Sequence, residues 1–290
     1  MKLQKDVTHG TWDYPFQVHH TNLSNGLSLY PHIHDELEIT CITSGEGLFC
    51  IDGQDYHVKT GDIVFVSSSA IHLATPTNPM EASFFSIVFS PSCFCLAENN
   101  RIYTKYVAPI LAQEFSFPEY LDGSEDWHST VWDYAKEIEM ASFLENGEML
   151  CQSALLKLWN VLFTHGCPKH SKPIKETRSA RLKDSIDFMH ENFSRQIKIS
   201  ELSSISNMSE GHFSRVFKEC MKTSPMEYLI GIRLKESARL LEKSDLSIGE
   251  IALSCGFNDF SYFGKHFRKV MNCSPREYRN RFVNSKKIKI

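Results

Sequence analysis

The chain has 290 residues, 42% of them hydrophobic and 23% charged, with a formal net charge of −4. That length supports two domains with apolar cores. No run of about 18 apolar residues occurs, which excludes a membrane-spanning helix. Nine cysteines with no regular spacing argue against a disulfide framework, and residues 1–10 lack the apolar core of a secretion signal. The expectation is a cytoplasmic protein with reduced thiols and no membrane partner. Charge is unevenly divided: residues 178–290 hold 21 Lys and Arg against 13 Asp and Glu, while residues 1–177 hold 10 against 22. A basic second half fits a polyanion partner, and the acidic first half should be repelled by one.

In chain order, residues 16–90 alternate short apolar runs with turn signals. The runs are 37–42, 47–51, 62–66 and 84–89, punctuated by Gly45, Gly47, Gly61 and the Asp52-Gly53 hairpin signal. Many short strands at this spacing predict a small β-barrel or jelly roll. Tyr14, Phe16, Tyr30 and Phe49 are candidate pocket aromatics, though ordinary core is the plainer reading of each.

Within this region Gly26, His32, His34, Glu38 and Gly45 keep the spacing of the first cupin motif, and Gly61 and His72 fall where the second motif expects them. Ser67, Ser69 and Pro76 stand where cupins usually carry Pro, Gly and Asn. The stretch therefore resembles a cupin. Alternate residues of a strand share a face, so His32 and His34 can enter one barrel, with Glu38 an even number of residues on and His72 arriving from a facing strand. Three imidazoles and a carboxylate form a plausible divalent-metal set. Three roles stay open: holding a divalent metal, contacting a sugar-like or acidic ligand directly, and serving only the fold.

Residues 100–165 change to helical spacing. Trp132, Ala135, Ile138 and Phe143 mark one inward face, and Leu155, Leu158, Trp159 and Leu162 another. Asn146-Gly147 breaks them into an antiparallel pair. Residues 166–177 are polar, hold two prolines and show no period, so they read as a linker between a first domain, 1–165, and a second, 178–290.

The second domain starts with a helix over 178–193, with Leu182, Ile186 and Met189 inward, and then uses one unit twice. Phe213 matches Phe263, Phe217 matches Phe267, Lys218 matches Arg268, Pro225 matches Pro275 and Tyr228 matches Tyr278. A fixed-offset repeat means one supersecondary unit employed twice. Each copy reads helix, turn, helix. Asn207 and Gly256 take the sharp turns, and Phe213, Val216 and Phe217, then Phe260, Phe263 and Phe267, point inward. The small residues Ser203 and Ala252 let the helices of each unit cross closely. Ser224 to Glu227 and Ser274 to Glu277 each start a further helix with a Ser cap, a Pro and a returning Glu. The helix over 225–243 would span about 28 Å, which suits two readers entering major grooves about one DNA turn, ~34 Å, apart.

The segment from Ile248 to Lys269, followed by Ser274-Pro275-Arg276-Glu277-Tyr278, resembles the signature of the AraC/XylS family of transcription regulators. Asn272 departs from it by standing where the family usually has Gly, yet Asn accepts the same left-handed backbone. The resemblance implies an α+β protein of two domains: a cupin-like β-barrel sensor with packed helices, then an all-α DNA-binding domain with two helix-turn-helix units. It further implies a promoter-DNA partner, a small-molecule effector (a carbohydrate among the candidates), a homodimer formed through the barrel's helices, contact with RNA polymerase, and activation as the commoner mode. On the outward faces of the recognition helices lie Ser209, Gly211, His212, Ser214, Arg215 and Lys218, then Asn258, Ser261, Tyr262, Gly264, Lys265 and Arg268. Arg215 and Lys265 are the base-reading candidates, Lys218 and Arg268 the phosphate clamps. No catalytic residue is identified. The rival reading is a cupin metalloenzyme fused to a DNA-binding domain.

Overall fold

In the computed structural model, residues 9–11, 13–23, 29–77, 81–94, 100–112, 114–168 and 178–280 are described. Gly26, most of the expected linker (169–177) and the basic tail beyond residue 280 lie outside them. The chain divides into two compact units, one ending at Ala180 and the other beginning at Arg181.

The first unit is built on two antiparallel sheets. Its strands are β1 (Phe16–Leu23), β2 (Leu29–His32), β3 (Leu37–Ser44), β4 (Glu46–Ile51), β5 (Gln54–Lys59), β6 (Ile63–Val66), β7 (His72–Pro76) and β8 (Ala82–Phe89). One sheet runs β1-β8-β3-β6 and ends on β10 (Tyr120–Leu121); the other runs β2-β7-β4-β5. The β4–β5 hairpin turns at Asp52 and Gly53, both at positive φ (49° and 89°), the geometry that a two-residue loop between twisted strands requires. Strand β3 is buried from Leu37 to Ile42 because both its faces are covered. Ile39 and Cys41 face the packed helices, whereas Ile42 meets Phe49, Ile51, Val58, Val64, Val66 and Phe84 between the sheets.

The covering layer follows. A π-helical turn, Tyr103–Val107, leads into α1 (Ala108–Leu111) and β9 (Phe115–Ser116); after β10 come α2 (His128–Ala141) and α3 (Glu148–His165). Trp127 stacks on His165 at 4.6 Å, so the start of α2 meets the end of α3 and the two helices run antiparallel. Ala135, Ile138, Leu155, Leu158, Trp159 and Leu162 are buried as the spacing predicts. Phe143 is not: it lies beyond the end of α2 and is 71% exposed, because the helix stops at Ala141 and its period no longer places that residue. The expected linker begins with structure of its own, since Cys167 and Pro168 form β11 and pair with β9. None of the described helices is long and apolar enough to cross a membrane.

The second unit is helical: α4 (Arg178–Asn192), α5 (Ile199–Ile205), α6 (Glu210–Met221), α7 (Pro225–Lys243), α8 (Ile248–Ser254) and α9 (Phe260–Met271), with a further helical stretch from 275. Its two helix-turn-helix units match in detail. Ser203 and Ala252 are buried, and their carbonyls accept from Met208 N–H (2.8 Å) and Phe257 N–H (2.9 Å). Asn207 (φ 52°) and Gly256 (φ 82°) take the left-handed turns, and Lys222 and Asn272 (φ 53° and 54°) the left-handed ends of α6 and α9. An aromatic ladder repeats as well: Phe213–Phe217–Tyr228 at 5.5 and 5.7 Å, and Phe263–Phe267–Tyr278 at 5.5 and 5.5 Å. Capping boxes start α7 and α8, and Ser274 and Glu277 exchange the same bonds at the next helix. The units differ at one place. Ser209 caps α6 two residues after its turn, while Asp259 caps α9 three residues after Gly256, the extra residue being Asn258.

Phe260 departs from its expected inward position: it is 54% exposed. It is the first residue of α9, where the chain has only just entered the helix, and its ring instead lies 3.6 Å from where a Cβ on Gly249 of α8 would stand.

One polar tie joins these elements. Arg233 of α7 donates from Nε to the Phe193 carbonyl (2.7 Å) and from Nη2 to the Arg195 carbonyl (2.8 Å), with its guanidinium 5.9 Å from the Phe257 ring. Burial lowers the Arg233 pKa. Arg233→Met would keep the apolar stem and leave both carbonyls without a donor. We expect a loss of about 1.5–3 kcal/mol, read by urea unfolding as a lower midpoint at unchanged slope.

Candidate functional site

Two sites follow from these folds, one in each unit. On the second unit, the residues of α6 and α9 that do not enter the core form two outward faces. Ser209, Gly211, His212, Arg215 and Lys218 are exposed and Ser214 is half-buried; Asn258, Ser261, Tyr262, Lys265 and Arg268 are exposed and Gly264 is half-buried. The Ser209 hydroxyl also caps α6 by accepting from His212 N–H. Among the described residues, no ion pair is found for Arg215, Lys265 or Arg268, and Lys218 lies near enough to Glu227 for its charge to lower that carboxyl's pKa behind the hydrogen bonds of Ser224, whereas Arg195 pairs with Glu201 (2.6 Å) and Arg239 with Glu236 (2.5 Å) elsewhere on the unit. Unpaired cations on a recognition helix are the groups that phosphates and guanine edges can take.

Gly211 and Gly264 bear on the same surface. A Cβ at either would meet nothing within 4 Å, and neither is at positive φ. The fold does not require glycine there, so its helix-weakening effect stands without an internal compensation. Close approach of an outside partner to the backbone is the remaining physical use. Spacing did not place Phe260 on this surface. With Ser261, Gly264, Lys265, Arg268 and Pro275 it lines a shallow groove along α9.

In the first unit, Glu38, His32, His34 and His72 come together, with one ligand atom from each lying within 4.8 Å of the others. The route differs from the expected one. His32 and His72 are register partners on adjacent strands of one sheet, and Glu38 faces them from the other sheet. His34 lies beyond the end of β2, in the 33–36 connection, where its carbonyl accepts from Ser69 N–H (2.9 Å).

The hydrogen bonds define the donor set. Nδ1 of His32, His34 and His72 lies 2.9, 3.1 and 3.0 Å from the carbonyls of Tyr30, Glu36 and Ala70. A carbonyl only accepts, so each Nδ1 carries the proton. Nε2 of His34 and of His72 each lies 3.2 Å from Glu38 Oε2, while Thr40 Oγ1 donates to Glu38 Oε1 (2.7 Å) and contacts Ser86 Oγ (2.7 Å). If both imidazoles are neutral, lone pairs point at a carboxylate, which is repulsive. If both are protonated, two buried cations share one anion. A divalent cation among the four groups resolves either conflict, and the backbone anchors on Nδ1 are the outer contacts that such ligands use.

Charge follows the same geometry. Burial would raise the Glu38 pKa, but the hydrogen bonds from His34 and His72 outweigh it and hold the carboxyl well below its usual range. Burial and then the charge of His72 push His32 well below its ordinary value. For His34, burial lowers the pKa, and the hydrogen bond to Glu38 with the charges of Glu38 and Glu36 reverses the sign. Two histidines absent from the sequence reading adjoin the cluster. His9 lies 5.0 Å from His34, ring to ring, and its Nδ1 is 2.8 Å from His19 Nε2. Burial, then the charge of His34, lowers His9 to about 4. No motif contains them; strand alternation toward Ser86, opposite His19, was the one available signal.

Of the proposed pocket aromatics, Phe49 is core between the sheets, Phe16 is core beneath the helices and Tyr30 is 56% exposed. Tyr14 and Phe16 line a cavity with Val18, His20, Phe143 and Leu144 at the α2–α3 corner, outside the strand interior.

Comparison with known proteins matches residues 18–97 to the AraC-like ligand binding domain and residues 202–281 to a helix-turn-helix domain. The uncharacterized HTH-type transcriptional regulator YdeC of Bacillus subtilis is 25% identical over 281 residues, 96% of each chain. This protein is a member of the AraC family of transcription regulators. The HTH-type transcriptional activator RhaS of Citrobacter koseri is 25% identical over 261 residues, covering 87% of this chain and 88% of that one. Among solved structures, the DNA-binding domain of AdpA in complex with a target DNA is 30% identical over 37% of this chain and 96% of that one, with a TM-score of 0.36. ToxT of Vibrio cholerae is 13% identical over 91% and 97% of the two chains, with a TM-score of 0.48. As an AraC-family regulator, the protein has a ligand-binding first unit and a DNA-binding second unit.

The open space at Gly264 gives a test with two opposite signs. Gly264→Ala should raise stability by up to about 1 kcal/mol through helix propensity and weaken binding to a selected DNA site. A rise in melting temperature with unchanged DNA affinity would show that no partner approaches the backbone there.

Proposed function

We propose that the protein activates transcription by placing α6 and α9 in successive major grooves of promoter DNA, under control of a small-molecule effector held in the first unit. One observation carries this reading: both recognition helices expose cations at matching positions, Arg215 with Lys265 and Lys218 with Arg268. In this reading Arg215 takes a guanine edge, and Lys218 and Arg268 hold phosphates and set the register. Activation is supported by the similarity to RhaS activators. The effector seat is the cluster of Glu38 with His32, His34 and His72, where polar groups converge at the edge of an otherwise hydrocarbon interior.

A homodimer supplies a second pair of readers. Met140, Met149, Leu150 and Leu156, all on α2 or α3 and between 42 and 81% exposed, support these helices as the pairing surface. The effector acts by its differential affinity for two arrangements of the protein, and RNA polymerase is the partner that reads the outcome. We take the first unit as a sensor and not a catalyst. Thr40 holds one oxygen of Glu38, and the interior beside the cluster is hydrocarbon.

Binding to a duplex selected from a randomised library separates the roles. Arg215→Ala should lose roughly 1–3 kcal/mol on the selected duplex and little on random DNA. Lys218→Ala should weaken both alike and lower the salt slope by about one. Equal losses for Arg215→Ala on both DNAs would make it a phosphate contact, and no loss on either would remove α6 from the interface.

A further inference from the structure

We propose that Phe260 is a specificity-determining residue of the DNA site: its ring takes the C5-methyl group of a thymine, beside the space that Gly264 leaves open. That role rests on the reading that α9 enters a major groove, and it adds an apolar reader to the charged ones.

The two recognition helices, otherwise matched, differ at their first residue. Glu210 opens α6 and Phe260 opens α9. An acidic residue suits that position, because the helix dipole favours negative charge in the first turn. Phe260 forgoes that advantage and leaves a ring 54% exposed. The core of the second helix-turn-helix unit is filled by other rings, since Phe257, Phe263 and Phe267 are each buried. One edge of the Phe260 ring lies along α8, with two of its carbons 3.6 and 3.7 Å from where a Cβ on Gly249 would stand. The rest of the ring faces outward.

A single exposed apolar residue is ordinary on a protein surface. What sets Phe260 apart is its place. The first turn of a recognition helix is the part that reaches base edges. Ser261, Lys265 and Arg268 line the same groove, so a polyanion drawn to the cations comes up against the ring. Residues four apart share a helix face, and the residue four on from Phe260 is Gly264. A side chain there would lean back toward residue 260. Glycine leaves that space empty, and even a Cβ at 264 would meet nothing within 4 Å.

The chemistry of the major groove selects the ligand. Each base pair shows hydrogen-bond donors and acceptors there, and the thymine methyl is the apolar group among them. A ring without hydrogen-bonding groups pairs with that methyl and not with the donors and acceptors. The exposed ring face and the methyl leave water together when they meet, which is favourable in proportion to the apolar area covered. At the matching position α6 carries the Glu210 carboxylate, so the two helices read their half-sites by different chemistry.

The test uses the full chain and the selected duplex, with each thymine replaced singly by deoxyuridine, which removes the methyl and nothing else. We expect one position at which the unmodified protein loses affinity about 4-fold, the worth of one methyl-sized group taken out of water. Phe260→Ala should bind the thymine duplex more weakly by at least that factor and should not distinguish uracil from thymine at that position. Phe260→Leu, which keeps an apolar wall, should retain part of the discrimination. It also carries the measurement if Phe260→Ala is not folded by circular dichroism. A uracil penalty that is the same in the unmodified protein and in the variants overturns the proposal, as does a duplex in which no thymine methyl is sensed. Lys265→Ala separates this failure from failure of the underlying reading. If it weakens binding to every duplex while no methyl couples to residue 260, α9 is on the DNA and the ring is not a reader. If Lys265→Ala and Phe260→Ala both leave affinity unchanged, α9 is off the DNA and both readings fall.

Discussion

The geometry of the DNA-reading unit depends on a guanidinium reaching backward from the helix between its two halves. Arg233 sits in the middle of α7, holds two carbonyls just past the end of α4, and lies beside the turn of the second helix-turn-helix unit. The packing there is tight: a Cβ on Gly256 would come within 2.8 Å of the Phe193 and Ser194 carbonyls and 3.0 Å of Arg233 Nε. A glycine in the left-handed region thus does two things at once, turning the chain and admitting the arginine. Two recognition helices can act together on DNA only if their spacing is set before binding, because ordering them on the DNA would cost affinity.

A different constraint governs the ligand-binding unit. Burying a carboxylate is costly unless it is paired and hydrogen-bonded, and Glu38 is 3% exposed on a strand whose neighbours are hydrocarbon. Its presence obliges the surrounding chain to supply partners. The 33–36 connection brings His34, β7 brings His72, and Thr40 with Ser86 closes the other oxygen. The same interior is filled by Phe49, Phe84, Ile42 and Val64 a few residues along, so polar chemistry is confined to one edge. A sensor benefits from that arrangement, since a rigid apolar floor lets a ligand at the edge act on loops and not on the core.

The two sites differ in how they are supported. The proposed DNA faces are single side chains standing on well-capped helices, where repeated Phe–Phe–Tyr ladders hold the backbone and leave the exposed groups outside the core. The Glu38 cluster is a network centred on one carboxylate, whose removal would leave His34, His72 and Thr40 without their shared buried partner.

Much was legible in the residues. The helix-turn-helix duplication, its left-handed turns at Asn207 and Gly256, its capping boxes and its inward Phe213, Phe217, Phe263 and Phe267 all follow from local rules of period and capping, and local rules act within a few residues. The ladder of short strands and the participation of His32, His34, Glu38 and His72 in one polar set were readable for the same reason. Phe143 and Phe260 were misplaced where those rules end, just past the end of one helix and at the first residue of another, where period stops dictating direction. Tertiary structure alone decided the rest: that His72 stands beside His32 while Glu38 faces them from the other sheet, that His9 and His19 adjoin the cluster, that Arg233 joins α4, α7 and the second turn, and that Gly264 faces open space. Each of these is a contact between residues distant in the chain, set by how sheets and helices pack, and no spacing along a sequence encodes which distant side chain will arrive.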